Sequence, residues 1–326
     1  MRIPRRRFLH VAAGAAALPA VSRFAWAQVY PSRPITMIVP GLAGFGGDTI
    51  GRLVAERMRG SLGQPIIIEN VSGASGSIGT GRAARARPDG YTIVIGFNSS
   101  HALNGALYSL RYDVLNDFEP ISPLVMAPSV FYARKTMPAK DLNDLIDWLK
   151  ANPDKASAGI ATVGYHLLTA LFQKQTGTKI TLVPYRGVPT ALQDLIAGRI
   201  DLLFGTPDLL PVVRGGIMKA YAVTSDTRFA QAPDIPTFAE MGVPSVFLTS
   251  WFGLFAPRGT PRDIIGKLNA AAVEALADPL VRSRIADLGY DTVPRERQTS
   301  ETLAGLQKAD AEKWWPIIKE LGLKAE

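Results

Sequence analysis

The sequence predicts an α/β protein with largely parallel sheets, organised as two lobes. Short apolar runs typical of buried strands alternate along the chain with segments whose apolar residues recur at helical spacing. The chain has 326 residues and 47% hydrophobic content, which is long for a single core. It contains no short-period repeat that would indicate a solenoid. We therefore expect two domains of roughly 100 to 200 residues each.

The first 27 residues are predicted to be a cleaved export signal. Arginines at 5–7 and Phe8-Leu9 precede an apolar, alanine-rich segment at 11–21, and small residues at 25–27 suit cleavage before Gln28. The paired arginines resemble a twin-arginine (Tat) signal, although Pro4 departs from that pattern and leaves the Sec route open. The apolar core is shorter than the ~20 residues that span a bilayer. We expect a soluble protein in the periplasm.

Charge and composition exclude several classes of function. The first 27 residues hold five arginines and no acidic residue, so cleavage lowers the formal charge from +8 to about +3. No basic run remains that would predict nucleic-acid binding. The absence of cysteine excludes disulfides, thiolate metal sites and a cysteine nucleophile. His101 and His166 lack the neighbouring ligands of a usual metal site, so we expect no metal and no cofactor.

The first predicted element after the signal is a strand, a glycine-rich loop and a helix at 35–52. The loop carries glycines at positions 41, 44, 46 and 47, and Asp48 is the expected N-cap of the helix. Backbone N–H groups at a helix N-terminus favour an anion. The loop lacks the Gly-Lys-Ser/Thr of ATP-binding loops and the third glycine of the dinucleotide fingerprint. It therefore predicts an anion cradle without a lysine.

The remaining elements predict how the lobes are assembled. Strands are expected at 66–68, 92–95, 181–183, 200–204 and 221–223, with helical faces between them. Strand-like runs at 125–132 and 250–257 would cross between the lobes, and a long helical region follows at 261–288. The first lobe would then comprise 28–127 and 252–326, and the second 128–251. Ligands of open α/β sheets bind beyond the carboxyl ends of strands, so we expect a site between the lobes.

A set of motifs in a shared order carries a family resemblance. They are YPSRPITMIVP at 30–40, IIIENVSGASGSIGTGRAARARPDGYT at 66–92, NDFEPIS at 116–122, VPYRG at 183–187, DIPTFAEMGVP at 234–244 and APRGTP at 256–261. The chain resembles the periplasmic receptors of tripartite tricarboxylate transporters, also called Bug or TctC-type receptors. The resemblance covers essentially the whole mature sequence.

The resemblance implies a type II periplasmic-binding-protein fold with no catalysis. Its two lobes would close on a small carboxylate, and a monomeric receptor would deliver the ligand to membrane permease subunits. The implied ligand contacts in the first lobe are Ala43, Gly44, Phe45, Gly46, Gly47, Asp48, Ser72, Gly73, Ala74 and Ser75. Those in the second lobe are Ser157, Thr162, Tyr165, His166, Tyr185, Thr206 and Asp208.

Two departures from the family pattern bear on the ligand. Phe45 stands where the family commonly has glycine, so it either packs on an apolar or aromatic part of the ligand or covers the loop from outside. Tyr165 would narrow the pocket. Arg186 either pairs with a distal carboxylate of the ligand or is solvated. An aromatic or dicarboxylic acid fits these features.

Two other functions stay open at this level. A ligand-sensing receptor for a signalling partner would carry the same binding features. A periplasmic hydrolase is less favoured, because residues 73–77 place glycine one position too early for a Gly-x-Ser-x-Gly nucleophile elbow.

Overall fold

The computed structural model describes residues 30–324, and the predicted export signal lies outside this range, as do residues 325–326. Two mixed sheets, each covered by helices, form two α/β lobes joined by two crossover segments, which confirms the predicted two-lobed α/β fold. The expectation of largely parallel sheets is wrong, because five of the nine strand pairings within residues 30–324 are antiparallel. Within residues 30–324, no helix combines the length and apolar character needed to cross a bilayer.

The first lobe is built on a six-stranded sheet. Its strands are β1 (Ile35–Val39), β2 (Ile66–Asn70), β3 (Thr92–Phe97), β4 (Phe118–Pro128), β10 (Thr249–Pro257) and β11 (Asp291–Thr292), in the order β11-β4-β10-β3-β1-β2. β1 pairs in parallel with β2 and β3, whereas β10 runs antiparallel to β3 and β4. Its helices are α1 (Gly46–Leu62), α2 (Ser77–Ala84), α3 (Asn104–Leu107), α8 (Arg262–Ala277), α9 (Pro279–Asp287) and α10 (Ser300–Glu320), with a π-helix at Ser99–Leu103 and 3-10 turns at Ala74–Gly76 and Arg295–Arg297.

The second lobe is built on a five-stranded sheet. Its strands are β5 (Val130–Arg134), β6 (Ser157–Ile160), β7 (Thr181–Pro184), β8 (Leu202–Gly205) and β9 (Met218–Val223), in the order β7-β6-β8-β5-β9. β6 is parallel to β7 and β8, whereas β5 is antiparallel to β8 and β9. Its helices are α4 (Leu142–Ala151), α5 (Val163–Thr176), α6 (Val188–Ile196) and α7 (Leu210–Arg214), with a 3-10 turn at Pro207–Leu209.

One local prediction is wrong, and one predicted helical region is divided in two. Helix α1 begins at Gly46, so Asp48 is its third residue and not its N-cap. Gly46 and Gly47 adopt helical geometry, and the Asp48 carboxylate reaches back to accept from the Gly44 amide instead. The helical region predicted at 261–288 is two helices, because Pro279 has no N–H to continue α8 and the Asp278 side chain caps α9.

The two crossover segments lie side by side. Between β4 and β5, the Ser129 amide donates to Thr224 Oγ1 at 2.8 Å, and the Thr224 amide donates to the Ser129 carbonyl at 2.9 Å. Thr224 Oγ1 in turn donates to the carbonyl of Leu248, just before β10, at 2.8 Å. These bonds tie the two crossover segments to each other.

The C-terminal helix α10 touches both lobes. Near its middle, Asp310 accepts a hydrogen bond from Trp251 Nε1 of β10 at 2.8 Å. Further along, Trp314 and Ile318 are buried in the same cluster as Phe172 of α5. Lys174 Nζ also pairs with Glu320 Oε1 at 2.6 Å. The end of α10 is therefore attached to the second lobe.

The buried carboxyl of Asp310 gives stability a pH dependence. Burial raises the pKa of Asp310 to about 6, and hydrogen bonds from Trp251 and Trp314 offset this only in part. An unfolded aspartate ionises near pH 4, so between about pH 4 and pH 6 the folded protein binds more protons than the unfolded chain. Stability should therefore fall as pH rises through this window.

The Asp310→Asn variant tests this assignment, since its amide oxygen can still accept from Trp251. We expect a flatter pH dependence and a gain of about 1 to 2 kcal/mol at pH 7. Urea unfolding at several pH values between 4 and 7 measures both. Asp287→Asn, at the exposed end of α9, is the control. If the unfolding free energy of Asp310→Asn changed with pH as steeply as that of the wild type, other groups would be responsible for the pH dependence.

Candidate functional site

A cavity of about 220 Å³ lies between the two lobes. The first lobe contributes Ala74, Ser75, Leu107 and Tyr108, and the second contributes residues 160–163 together with His166, Pro184, Tyr185 and Arg186. Lys324, beyond the end of α10, completes the lining. Ser75, residues 161–162 and Arg186 also line a narrower pocket that reaches Gly41, Leu42 and Phe45 of the first glycine loop. The cavity and the narrow pocket therefore adjoin each other, since they share these lining residues.

Asp48 organises the first glycine loop from within. Its carboxylate accepts hydrogen bonds from the Gly44 amide at 3.0 Å and from Asn70 Nδ2 at 3.0 Å, and it pairs with Arg52 at 2.9 Å. Burial raises the pKa of Asp48, but these hydrogen bonds outweigh it and leave the pKa below its usual range. Asp48 therefore remains ionised and braces the loop, and it does not contribute an open carboxylate to the cleft.

The backbone amides of this loop differ in their availability. The amide of Gly44 is occupied by Asp48, and that of Phe45 by the carbonyl of Leu42 at 3.2 Å, so these two do not form the expected cradle. Gly46 and Gly47 are buried at the N-terminus of α1, and among residues 30–324 neither amide has a hydrogen-bond partner. Buried N–H groups are rarely left unpaired in folded proteins. Neither glycine lines the cavity or the narrow pocket, so contact between these two amides and a ligand stays a prediction.

Phe45 points into the first lobe. Its ring is 7% exposed and meets the rings of Phe97 and Phe252 edge-on, with centroids 5.2 Å and 5.5 Å away. The ring therefore does not cover the loop from outside. One side of it still lines the narrow pocket, so contact between Phe45 and a ligand stays a prediction.

The second glycine loop has an unusual backbone. Residues 73–76 all have positive φ, including Ala74 at 46° and Ser75 at 53°. Left-handed geometry at residues other than glycine is strained and concentrates at functional sites. Asn104 Nδ2 holds the loop through the Ser75 carbonyl at 3.1 Å. In this conformation the Ser75 hydroxyl accepts a hydrogen bond from the Val163 amide of the opposite lobe at 2.9 Å.

The N-terminus of α5 faces this loop across the cleft. Thr162 caps the helix, since its Oγ1 accepts from the Tyr165 amide at 3.3 Å. Ser99 Oγ, from the first lobe, accepts from the Gly164 amide at 3.0 Å. Sequence reasoning missed Ser99, although its position just beyond the carboxyl end of β3 was a usable signal. The lobes thus meet through hydroxyls directed at a helix N-terminus.

Thr206 and Asp208 lie at a second contact between the lobes, with Tyr290 of the first lobe. Tyr290 Oη donates to Asp208 Oδ1 at 3.4 Å. Burial raises the pKa of Asp208, and hydrogen bonds from Thr206 and Tyr290 offset this only in part. Tyr165 and Thr206 line a small pocket beside this contact, and neither lines the main cavity. Tyr165 therefore narrows this small pocket and not the main cavity.

Several predicted contacts lie away from the cavity. The prediction for Ser157 is wrong, because it begins β6 and its hydroxyl donates to Asp201 Oδ2 at 3.1 Å, whereas the carboxyl end of β6 lines the cavity. Four extended residues separate these ends by roughly 10 Å. Ala43 and Gly44 are exposed, and Ser72 and Gly73 flank the cavity without lining it.

The two histidines differ in their surroundings. His101 is fully buried and stacks on Phe255 at 4.2 Å, and burial lowers its pKa to about 3, so it is neutral and structural. His166 lines the cavity and is 7% exposed. Among residues 30–324, no cluster of three or more metal-binding side chains occurs.

Three solved structures resemble this chain over most of its length. The periplasmic binding protein BugD is 34% identical, with a TM-score of 0.87 over 91% of this chain and 100% of its own. MatC from Rhodopseudomonas palustris, solved with bound malate, is 35% identical, with a TM-score of 0.85 over 89% of this chain and 100% of its own. A further R. palustris protein, solved with adipate, is 31% identical, with a TM-score of 0.85 over 90% of this chain and 99% of its own.

The model of the family described as "Tripartite tricarboxylate transporter family receptor" matches residues 50–323. This match confirms the resemblance drawn from the sequence motifs, and with it the expectation of a receptor and not an enzyme. The chain belongs to the tripartite tricarboxylate transporter receptor family, whose members are periplasmic solute-binding receptors.

Proposed function

We propose that the mature protein captures a small carboxylate between its lobes, closes on it by a hinge motion, and delivers it to the membrane subunits of a tripartite tricarboxylate-type transporter. The observation that carries this proposal is the cavity between the lobes, whose lining holds hydroxyl, imidazole and cationic groups and, among residues 30–324, no carboxylate. Malate bound to MatC and adipate bound to the R. palustris relative support the same class of ligand.

The electrostatics of the cleft favour an anion. Helices α1 and α5 both begin at the contact between the lobes, so the positive ends of two helix dipoles converge there. The amides of Gly46 and Gly47, which have no hydrogen-bond partner among residues 30–324, lie at the N-terminus of α1. Charge-assisted hydrogen bonds of this kind contribute about 1.5 to 3 kcal/mol each.

The hinge supplies the motion. The crossovers meet at Ser129 and Thr224, whereas the cleft is closed by a few bonds, chiefly those from the amides of Val163 and Gly164 to serine hydroxyls. Because these hydrogen bonds across the cleft are few, they can break and re-form as the lobes open and close. A ligand that contacts both lobes binds the closed form more tightly and shifts the population toward it.

Calorimetric titration of the mature protein with malate, adipate and benzoate tests the proposal. We expect saturable binding of one equivalent of at least one acid, recovered intact, and no binding of the matched neutral amides. Small-angle scattering on the same samples should show a smaller radius of gyration with the bound acid. Equal affinity for acid and amide would contradict carboxylate capture, and an unchanged radius despite saturation would contradict closure.

A further inference from the structure

We infer that the outer end of the cavity is a subsite for a second carboxylate, formed by Arg186 and Lys324. Lys324 belongs to the segment 321–324 that follows α10, which we call the C-terminal tail. This inference rests on the proposed capture of a first carboxylate, and it identifies the ligand as a dicarboxylate. The C-terminal tail then takes part in selecting the ligand.

The charge of the cavity lining is the first support. Arg186 and Lys324 both line the cavity, beside His166, and none of the lining residues is acidic. Among residues 30–324, neither Arg186 nor Lys324 forms a salt bridge, although twelve other ion pairs occur there. Two like charges at one cavity attract an anion more strongly than either alone.

The position of the tail is the second support. Leu321 and Leu323 pack against the core of the second lobe, and Glu320 is paired with Lys174 of α5. Lys324 follows Leu323 directly, so the packed leucine restricts where the ammonium group can reach. A cation held at the mouth in this way loses less side-chain freedom on binding than one on a free tail.

The shape of the crevice is the third support. Arg186 lines both the main cavity and the narrow pocket that reaches the first glycine loop. A ligand with one carboxylate toward that loop would extend outward past Tyr185 and Tyr108, whose rings provide apolar walls. Its second carboxylate would then meet Arg186 and Lys324. The fitting class is a dicarboxylic acid with an apolar spacer.

Titration with matched acids tests the subsite. The probes are linear dicarboxylates from succinate to suberate, each compared with the monocarboxylate of the same carbon number. We expect the wild type to prefer the dicarboxylates. Lys324→Ala should weaken their binding by about twofold to fivefold, as for an exposed charge contact, and should weaken the binding of monocarboxylates less. Arg186→Ala should act in the same direction, and Lys324→Arg should retain the preference.

Lys319→Ala is the matched control, because Lys319 is an exposed lysine of α10 that does not line the cavity. Equal losses for both classes of acid with Lys324→Ala, or no loss, would overturn the inference. A wild-type preference for monocarboxylates would also overturn it and leave the proposed function intact. Failure of the wild type to bind any acid would instead overturn the proposed function, and the inference with it.

Discussion

Replacing Gly46 with alanine should weaken ligand binding by at least about 100-fold. A Cβ atom on Gly46 would overlap the hydroxyl of Tyr290 and come within 3.4 Å of Thr206 Oγ1 in the opposite lobe. The substitution would therefore displace Tyr290 from Asp208 and wedge the lobes apart beside the buried amides. Overpacking of this kind also costs about 1 to 3 kcal/mol of stability. Calorimetric titration and thermal unfolding measure the two effects.

A second substitution separates this steric effect from other causes. Tyr290→Phe removes the hydroxyl and leaves the ring carbon Cζ 3.3 Å from the new methyl group, so Gly46→Ala combined with Tyr290→Phe should recover most of the affinity. Gly60→Ala is the control, since nothing lies within 4 Å of a Cβ there and a helical glycine-to-alanine change stabilises by about 0.5 to 1 kcal/mol. Normal binding by Gly46→Ala alone would show that Gly46 does not lie at a close contact.

Replacing Gly76 with alanine should give the largest loss of stability, about 2 to 4 kcal/mol, because it combines steric overlap with backbone strain. Gly76 has a φ of 89°, and its Cβ would lie 2.8 Å from the carbonyl oxygen of Pro40. The Pro40 oxygen is a backbone atom and cannot rotate away, and side-chain atoms of Phe97 and Ser100 lie 3.3 Å from the same position. Ser75 would move with Gly76 and lose its bond to the Val163 amide, so ligand affinity should also fall.

The Gly63→Ala variant measures the cost of backbone strain without steric overlap. Gly63 also has a positive φ, 65°, at the end of α1, but nothing lies within 4 Å of a Cβ at that position. Its replacement should cost about 1 kcal/mol, as expected for left-handed strain alone. Urea unfolding of the two variants gives the comparison. Equal losses of stability would mean that the approach of Pro40 to Gly76 contributes nothing.

The strands were predictable because their signal is local. The five strands expected at 66–68, 92–95, 181–183, 200–204 and 221–223 all occur, each with at least one end shifted by one to three residues. An apolar run marks the buried middle of a strand, whereas the ends are set by hydrogen bonds to neighbouring strands. The N-terminus of α1 was predicted at the wrong residue for a related reason. The Asp48 carboxylate accepts hydrogen bonds from Gly44, Arg52 and Asn70, and Asn70 lies on β2, so the role of Asp48 depends on a contact that is not local.

The binding loops could be found from the sequence, but their chemistry could not. Glycine spacing at 41–47 and 73–76 marks places where the backbone turns and approaches a guest. Which amides remain available depends on the partners that the rest of the chain supplies. Ser157 shows the same limit, because residue type alone does not tell which end of β6 faces the cleft.

The order of strands and helices, the glycine loops and the family are determined by this sequence alone, because periodicity, turn residues and motif order are properties of contiguous residues. Only the tertiary structure decided that Ser99 meets Gly164, that Tyr290 lies against Gly46, and that Lys324 reaches the cavity. Each of these contacts joins residues more than 60 positions apart. Such contacts form only when the lobes pack, so no local pattern encodes them.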